Sequence, residues 1–393
     1  MLFNDCIVLA GGAGTRLWPA SSAATPKQFL SVPGDQNTGS MNFLTAAIDR
    51  ALAVIEDSPD SRVIIIAGRD HVPAIVECCS VFTLAQKKHL VLIPEPEAKN
   101  TAPAIACSLL YSDWVNTGID RKILILTSDH LINPLEVFKT DASAAGAFTQ
   151  QDKLIVFGIP PVSPNTGYGY IETSALLTIP PGENLREEDY YDPIVYRAEA
   201  FREKPDKKQA EEFIKAGNFY WNSGMFAFSS KFMLEEFREK TPELLYPFLK
   251  LRAPNERSYS IRQDLRILEN WEGLEEAYSA APKISFDYAI AEKCSRTVMV
   301  KAAFKWTDVG SWDEYIKLVP VPGNPEVYSI DSENTFVDSD IPVALVNADD
   351  LIVVIRTGKN GEPQAALIAK KGETQKVQEI VRQIKEAGRT GLL

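Results

Sequence analysis

Short apolar runs, rich in β-branched residues, recur along the first part of the chain and are separated by polar loops. Residues 6–10, 62–67, 90–93, 122–127 and 154–158 each read as a strand. Between them, residues 41–55, 71–79, 101–114 and 134–148 carry apolar side chains near helical spacing. Continuous apolar strands, rather than alternating ones, are strands covered on both faces. Their alternation with helices predicts an α/β fold, a Rossmann-like mixed and mostly parallel sheet. Ligands of such sheets bind beyond the carboxyl ends of the strands, so the informative residues are those just after each apolar run.

Further on the pattern loosens. Residues 194–200 read as a strand and 234–278 as a charged helical stretch. Pro320-Val321-Pro322-Gly323-Asn324-Pro325 is a proline-rich joint. After it, short apolar pieces at 343–346, 351–355 and 365–368 alternate with Asp, Asn and Gly, as stacked short strands of a β-helix-like coil would. Val377, Ile380, Val381 and Ile384 form a helical apolar stripe expected to pack back on that coil. The expected division is therefore a large α/β domain at 1–319 and a small C-terminal β-rich domain with a terminal helix at 326–393.

The first strand empties into Gly11-Gly12-Ala13-Gly14-Thr15-Arg16, and Pro26-Lys27-Gln28-Phe29 follows shortly. Glycines let backbone N–H groups approach an anion with no Cβ in the way, and Arg16 and Lys27 add full positive charge. A Walker A loop needs Gly-Lys-Ser/Thr at its end, where this chain has Gly14-Thr15-Arg16. A dinucleotide fingerprint needs a third glycine where Leu17 stands. A plain tight turn after a strand is the remaining bland reading, and the charged residues count against it.

Leu9 through Pro19, with Pro26-Lys27-Gln28-Phe29, resembles the signature of the sugar-nucleotide pyrophosphorylases. Trp18-Pro19 and Pro-Lys-Gln-Phe are similar to the mannose-1-phosphate guanylyltransferase (GDP-mannose pyrophosphorylase) branch. The resemblance implies a nucleotidyltransferase that converts mannose 1-phosphate and GTP to GDP-mannose and pyrophosphate with Mg²⁺. It assigns Arg16, Lys27 and Lys204 to catalysis. Leu9, Gly11, Gly12, Gly14 and Thr15 would hold the nucleotide, with Glu95, Asn100, Thr101 and Ser128 from later loops. Asn100 and Thr101 are also natural helix caps, and Glu95 or a backbone carbonyl of this loop could accept from the N1 and N2 edge of guanine. Gly167, Glu172, Glu203 and Asn222 would bind the sugar. Asp129, after the fourth strand, and Asp308, in Trp306-Thr307-Asp308-Val309-Gly310-Ser311-Trp312, would bind the metal. His130 is expected only to order its loop, Asp287 to cap or orient its neighbours, and Trp312 to pack. Arg202 stands where the family's Glu-Lys-Pro is expected to be preceded by an apolar or small residue.

Composition narrows the partners. The 393 residues are 45% hydrophobic, ample for a large core, and the net charge of −12 argues against nucleic acid and anionic membranes. An acidic chain needs a locally basic site for a polyanionic substrate. The five cysteines have no zinc-ligand spacing, and an odd number makes no disulfide framework. With no signal region and no apolar run of membrane length, a cytoplasmic protein is expected. Residue 393 comes too early for the phosphomannose isomerase domain that some members of the resembled family carry. A homodimer through the tail is compatible with the sequence. The rival readings are a pyrophosphorylase for another sugar or base, and a non-catalytic nucleotide-sugar sensor on the same fold.

Overall fold

The structure, a computed structural model, describes residues 2–12, 14–22, 25–32, 41–180, 191–319, 326–358 and 363–392. The proline-rich joint at 320–325 and Ala13 of the glycine loop lie outside the described residues. The chain divides into two compact units. One comprises Met1–Gly11, Ala47–Ser128 and Ile132–Trp306; the other comprises Gly12–Ala46, Asp129–Leu131 and Thr307–Leu393.

Among the described residues, eleven strands form the sheet of the first unit. They are β1 (Asp5–Leu9), β2 (Arg62–Gly68), β3 (Leu90–Glu95), β4 (Lys122–Thr127), β5 (Leu154–Ile159), β6 (Tyr170–Leu177), β7 (Val195–Arg202), β8 (Phe219–Ser229), β9 (Ser260–Arg262), β10 (Leu265–Ile267) and β11 (Thr297–Lys301). Their spatial order is β9-β10-β3-β2-β1-β4-β8-β5-β11-β7-β6. β1 pairs in parallel with β2 on one side and β4 on the other, which makes the β1–β4 gap the switch point of the sheet. Parallel pairing runs from β10 to β4, while β8 is antiparallel to β4 and β5 and β7 is antiparallel to β11 and β6. The sheet is mixed, as expected, and its parallel character is concentrated among the N-terminal strands.

Two-sided burial explains why these strands read as unbroken apolar runs. On one face Ile7, Ile64, Ile66, Val91, Ile93, Ile123 and Ile125 join a core with Ile105 and Leu109 of helix Thr101–Val115. That helix is apolar around most of its circumference, as a helix enclosed by other elements must be.

The charged stretch at 234–278 departs from the helical expectation. It holds helices Ser230–Lys240, Pro242–Leu249 and Leu274–Ala280, but β9 and β10 lie between them as a hairpin. Its two turn residues, Gln263 and Asp264, have φ of 48° and 63°, the backbone a two-residue hairpin of this twist demands. Leu265 and Ile267 are buried while Arg266 between them is not, a period of two that extends the sheet beside β3. Within 285–293, the family-like helix is a π-helix at Asp287–Ala291.

The second unit is built around Leu17, Trp18, Val32, Phe43, Val309 and Trp312. Phe336, Ile352, Val354, Val377 and Val381 share that core. Its later strands are β12 (Val327–Ile330), β13 (Phe336–Ser339), β14 (Val343–Val346), β15 (Leu351–Thr357) and β16 (Pro363–Lys370). β12 pairs in parallel with β14, β13 in parallel with β15, and β16 antiparallel to β15. Helix Val377–Glu386 packs on this core through Val377, Val381 and Ile384, whereas Ile380 is exposed. No helix among the described residues is long and apolar enough to cross a membrane.

Candidate active site

In the second unit, Lys27 organises the candidate phosphate and metal residues. Its stem is buried beside the Phe43 ring, whose centroid lies 5.3 Å from Nζ. Its ammonium donates to Asp129 Oδ2 at 3.3 Å and, by a short bond, to the Asp308 carbonyl. One cation thus holds together two residues far apart in sequence. Burial works to raise the Asp129 pKa, but Lys27 and then His130 outweigh it and leave it below the ordinary carboxylate value. His130 Nε2 is 3.6 Å from Asp129 Oδ1, consistent with a loop-ordering residue. Arg16 Nη1 stands 3.7 Å from Asp308 Oδ2, with the Arg16 side chain half-exposed.

The glycine loop fits closely around Lys27. Gly14 has φ of 54°, and a Cβ there would lie 2.5 Å from Lys27 Cβ and 2.6 Å from its backbone nitrogen. Gly12 has φ of 109° but open space around it. Thr15–Leu17 forms a single 3₁₀ turn, and the Ser21 hydroxyl donates to the Gly14 carbonyl. Trp312 is fully buried and donates its indole N–H to the Trp18 carbonyl at 2.9 Å, so its packing role includes a polar anchor.

Val309 follows Asp308 at φ of 44°, a strained conformation for a β-branched residue. A Cβ on Gly310 would sit 3.3 Å from both Asp308 carboxylate oxygens. The Gly310 N–H donates to Glu314 Oε2 at 2.6 Å. Burial, then the nearby Asp308, raises the Glu314 pKa. Sequence reasoning missed Glu314, although Ser311-x-x-Glu314 is a capping-box pattern that could have flagged it.

The first unit carries the candidate base and sugar residues. Ser128 donates its N–H to the Leu9 carbonyl at 3.1 Å, joining β1 and β4 at their carboxyl ends. Glu95 ends β3, is buried, and accepts from the Tyr278 hydroxyl at 3.1 Å. Its Oε2 lies 3.8 Å from where a Cβ on Gly11 would be. Burial pushes the Glu95 pKa up to about 7, against the lowering effect of Tyr278. Asn100 caps helix Thr101–Val115, its Oδ1 accepting from the Thr101 N–H at 2.9 Å. Asn100 holds φ of 71° and ψ of −170°, a backbone region normally left to glycine. The Thr101 hydroxyl accepts from the Phe286 N–H at 2.8 Å. The Lys99 carbonyl accepts from Ile284 and the Ile284 carbonyl from Ala102, so the two segments are stitched together.

Gly167 belongs to a turn that leads into β6, and its N–H donates to Asn165 Oδ1 at 2.8 Å. Gly169 permits a close approach: a Cβ there would lie 2.5 Å from Glu203 Oε2. Glu172 Oε2 is 3.4 Å from Arg202 Nη2, and Glu203 Oε1 is 3.2 Å from Lys204 Nζ. Lys204 is exposed and, like Asn100 and Val309, has positive φ, here 44°. Asn222 donates to Asp287 Oδ1 at 2.7 Å and accepts from the Gly224 N–H at 3.0 Å. Gly169, Glu203, Lys204, Asn222 and Asp287 thus form one neighbourhood of the first unit.

Among the described residues, no group of three or more His, Cys, Asp or Glu side chains is arranged to hold a metal ion. The oxygen donors of Asp129 and Asp308 suit a hard cation such as Mg²⁺, which commonly takes one or two carboxylates and completes its shell with phosphates and water. Of the five points at which the chain passes from one unit to the other, Gly11–Gly12, Ser128–Asp129 and Trp306–Thr307 lie inside motifs singled out from sequence.

Comparison with known proteins places the chain among nucleotidyl transferases. Residues 5–320 match the family described as nucleotidyl transferase. The mannose-1-phosphate guanylyltransferase of Escherichia coli (strain K12) is 33% identical over 391 residues, spanning 98% of this chain and 74% of that protein. The xanthan biosynthesis protein XanB of Xanthomonas campestris is 33% identical over 389 residues, with the same shares covered. Among solved structures, one described as mannose-1-phosphate geranyltransferase from Thermus thermophilus has a TM-score of 0.72 and 26% identity, covering 97% of this chain and 99% of that one.

Two predictions follow from this geometry. Gly14→Ala sets a Cβ against Lys27 at a positive φ and is expected to lower stability by about 1–3 kcal/mol in urea unfolding, the usual cost of overpacking. Unaltered stability would show that Lys27 does not depend on the loop. The second concerns Glu95, which keeps its proton up to about pH 7 in the fold but releases it near 4.5 when unfolded. The folded state binds more protons across that window, so stability falls as pH rises through it, and the loss is complete above pH 7. Glu95→Gln should match the parent at pH 4 and exceed it at pH 8 by up to about 3 kcal/mol in urea unfolding. Equal stability at pH 8 would mean that the buried carboxylate carries no such penalty.

Proposed function

The chain belongs to the nucleotidyl transferase family, and on that basis we propose that it converts mannose 1-phosphate and GTP to GDP-mannose and pyrophosphate. The likeness to the Escherichia coli guanylyltransferase along nearly the whole chain carries this reading. A phosphate oxygen of the sugar phosphate attacks the α-phosphorus of GTP, the α–β anhydride bond breaks, and pyrophosphate leaves with the electron pair. The nucleophile is already anionic at neutral pH, so no general base is required, and the work is positioning and charge neutralisation.

Arg16, Thr15 and the Gly11, Gly12 and Gly14 backbone hold the triphosphate, and Leu9 and Ser128 contribute from the ends of β1 and β4. Lys27 and Lys204 offset the repulsion between two phosphates; the buried stem of Lys27 and the positive φ of Lys204 support fixed roles for both. Glu95 accepts from the base edge of guanine, and Asn100 and Thr101 shape the loop beside it. Gly167, Glu172, Glu203 and Asn222 take the sugar. Asp129 and Asp308 would hold Mg²⁺, which supplies charge neutralisation at the phosphates when bound.

Residues 326–393 are read as a small β-helix-like domain. The same sixteen-residue offset relates Val327 to Val343 and Phe336 to Ile352, which supports successive coils. Buried free thiols at Cys6, Cys79, Cys107 and Cys294 support a reducing, cytoplasmic setting.

The test is pyrophosphate release with Mg²⁺, comparing GTP and mannose 1-phosphate with UTP or dTTP and glucose 1-phosphate. Release with the first pair alone is expected. Release with another pair would move the specificity, and binding of GDP-mannose without turnover by any pair would make the protein a sensor. Asp129→Asn and Asp308→Asn should each lower turnover by roughly two orders of magnitude or more, the effect of losing about 3 kcal/mol of transition-state stabilisation. Near-normal turnover in either variant removes that carboxylate from the metal role.

A further inference from the structure

We infer that Asp287 is a positioning residue for the sugar half of this reaction: it fixes which end of the Asn222 carboxamide faces which way, and so the hydrogen-bonding pattern offered to the sugar hydroxyls. The inference rests on the reading above that Asn222 contacts the sugar.

An amide group has two ends of nearly equal shape and opposite chemistry, and only its partners settle their arrangement. Asn222 has one partner of each kind. The Asp287 carboxylate only accepts, and it takes the Asn222 Nδ2 hydrogen at 2.7 Å. The Gly224 backbone N–H only donates, and it reaches Oδ1 at 3.0 Å. Rotating the amide by half a turn would set oxygen against carboxylate and N–H against N–H. One Nδ2 hydrogen and one Oδ1 lone pair then remain, in a fixed arrangement, for a ligand carrying adjacent hydroxyls.

Local backbone supports this role. Asn222 stands where the pairing of β8 with β5 breaks register, before Phe226 resumes it. Such irregularities re-aim side chains and recur beside active sites. Asp287 opens a π-turn closed by the Glu292 N–H on the Asp287 carbonyl at 3.0 Å. The residue before it is anchored twice. The Phe286 ring packs against Phe226 of β8 at 4.7 Å between centroids, and the Phe286 N–H donates to Thr101. Asp287 is therefore held in place independently of Asn222. Burial and then Glu203 raise its pKa, whereas the Asn222 bond works in the opposite direction.

The test is steady-state pyrophosphate release by Asp287→Ala and Asp287→Asn, varying each substrate in turn. Asp287→Ala is expected to raise the KM for mannose 1-phosphate at least tenfold while the KM for GTP stays within twofold. Asp287→Asn keeps an oxygen that can accept from Nδ2 and should lie within threefold of the parent. Added to Asn222→Ala, Asp287→Ala should have no further effect, because the amide it orients is gone. An equal rise in both KM values, an asparagine variant as poor as the alanine one, or full additivity with Asn222→Ala would each overturn the inference. If Asp287→Ala does not fold, the asparagine variant decides alone. A parent protein inactive with mannose 1-phosphate but active with another sugar phosphate overturns the functional reading, and the KM ratio is then measured with that substrate. Inactivity with every pair removes both.

Discussion

A strand that is covered on both faces has only its ends left for polar chemistry. β1, β2 and β4 are buried along their length, and their backbone groups pair with one another. Water, ligands and charges are excluded from everything but the points where these strands stop. That constraint accounts for the placement of the first unit's candidate nucleotide residues, whereas Glu172 and Asn222 lie within β6 and β8. Ser128 follows β4, Glu95 ends β3, and Gly11 comes two residues after β1. The sheet acts as an insulating block, and the loops at its carboxyl edge carry the functional vocabulary.

In the second unit the organising element is a single buried-stem lysine. An ammonium in partly dry surroundings must find anionic or carbonyl partners, and Lys27 finds Asp129 and the Asp308 carbonyl. Because both are reached by one side chain, the position of Lys27 sets theirs. The need for glycine at position 14, and for the strained Val309 and the close-set Gly310, follows from the tightness of this packing. Backbone strain at Asn100, Lys204 and Val309 is sustained by surrounding bonds and packing, as strained functional loops generally are.

Most of this was legible in the sequence where the signal is local. Uninterrupted apolar runs announced the covered strands, and the glycine loop, Ser-Asp-His, Glu-Lys-Pro and Trp-Thr-Asp-Val-Gly announced polar residues at their ends. What escaped depends on pairing across long separations. Nothing near Glu95 indicates that Tyr278 will bond to it, and nothing near Asn222 singles out Asp287. The β9–β10 hairpin was hidden because Gln263 and Asp264 adopt positive φ without a glycine to advertise it. Its charged outward residues also imitate a surface helix. Glu314 lay within a recognisable capping pattern, yet its carboxylate serves the turn before the helix.

The stitch between Lys99–Ala102 and Ile284–Phe286 has a consequence for how such a protein changes over time. One side of it is the loop after β3, and the other leads directly into Asp287 and its bond to β8. The loop after β3 and the segment that places Asp287 are therefore not separable modules that mutation can exchange one at a time. A chimera that imports residues 284–292 from a relative must import a compatible loop at 99–102 as well.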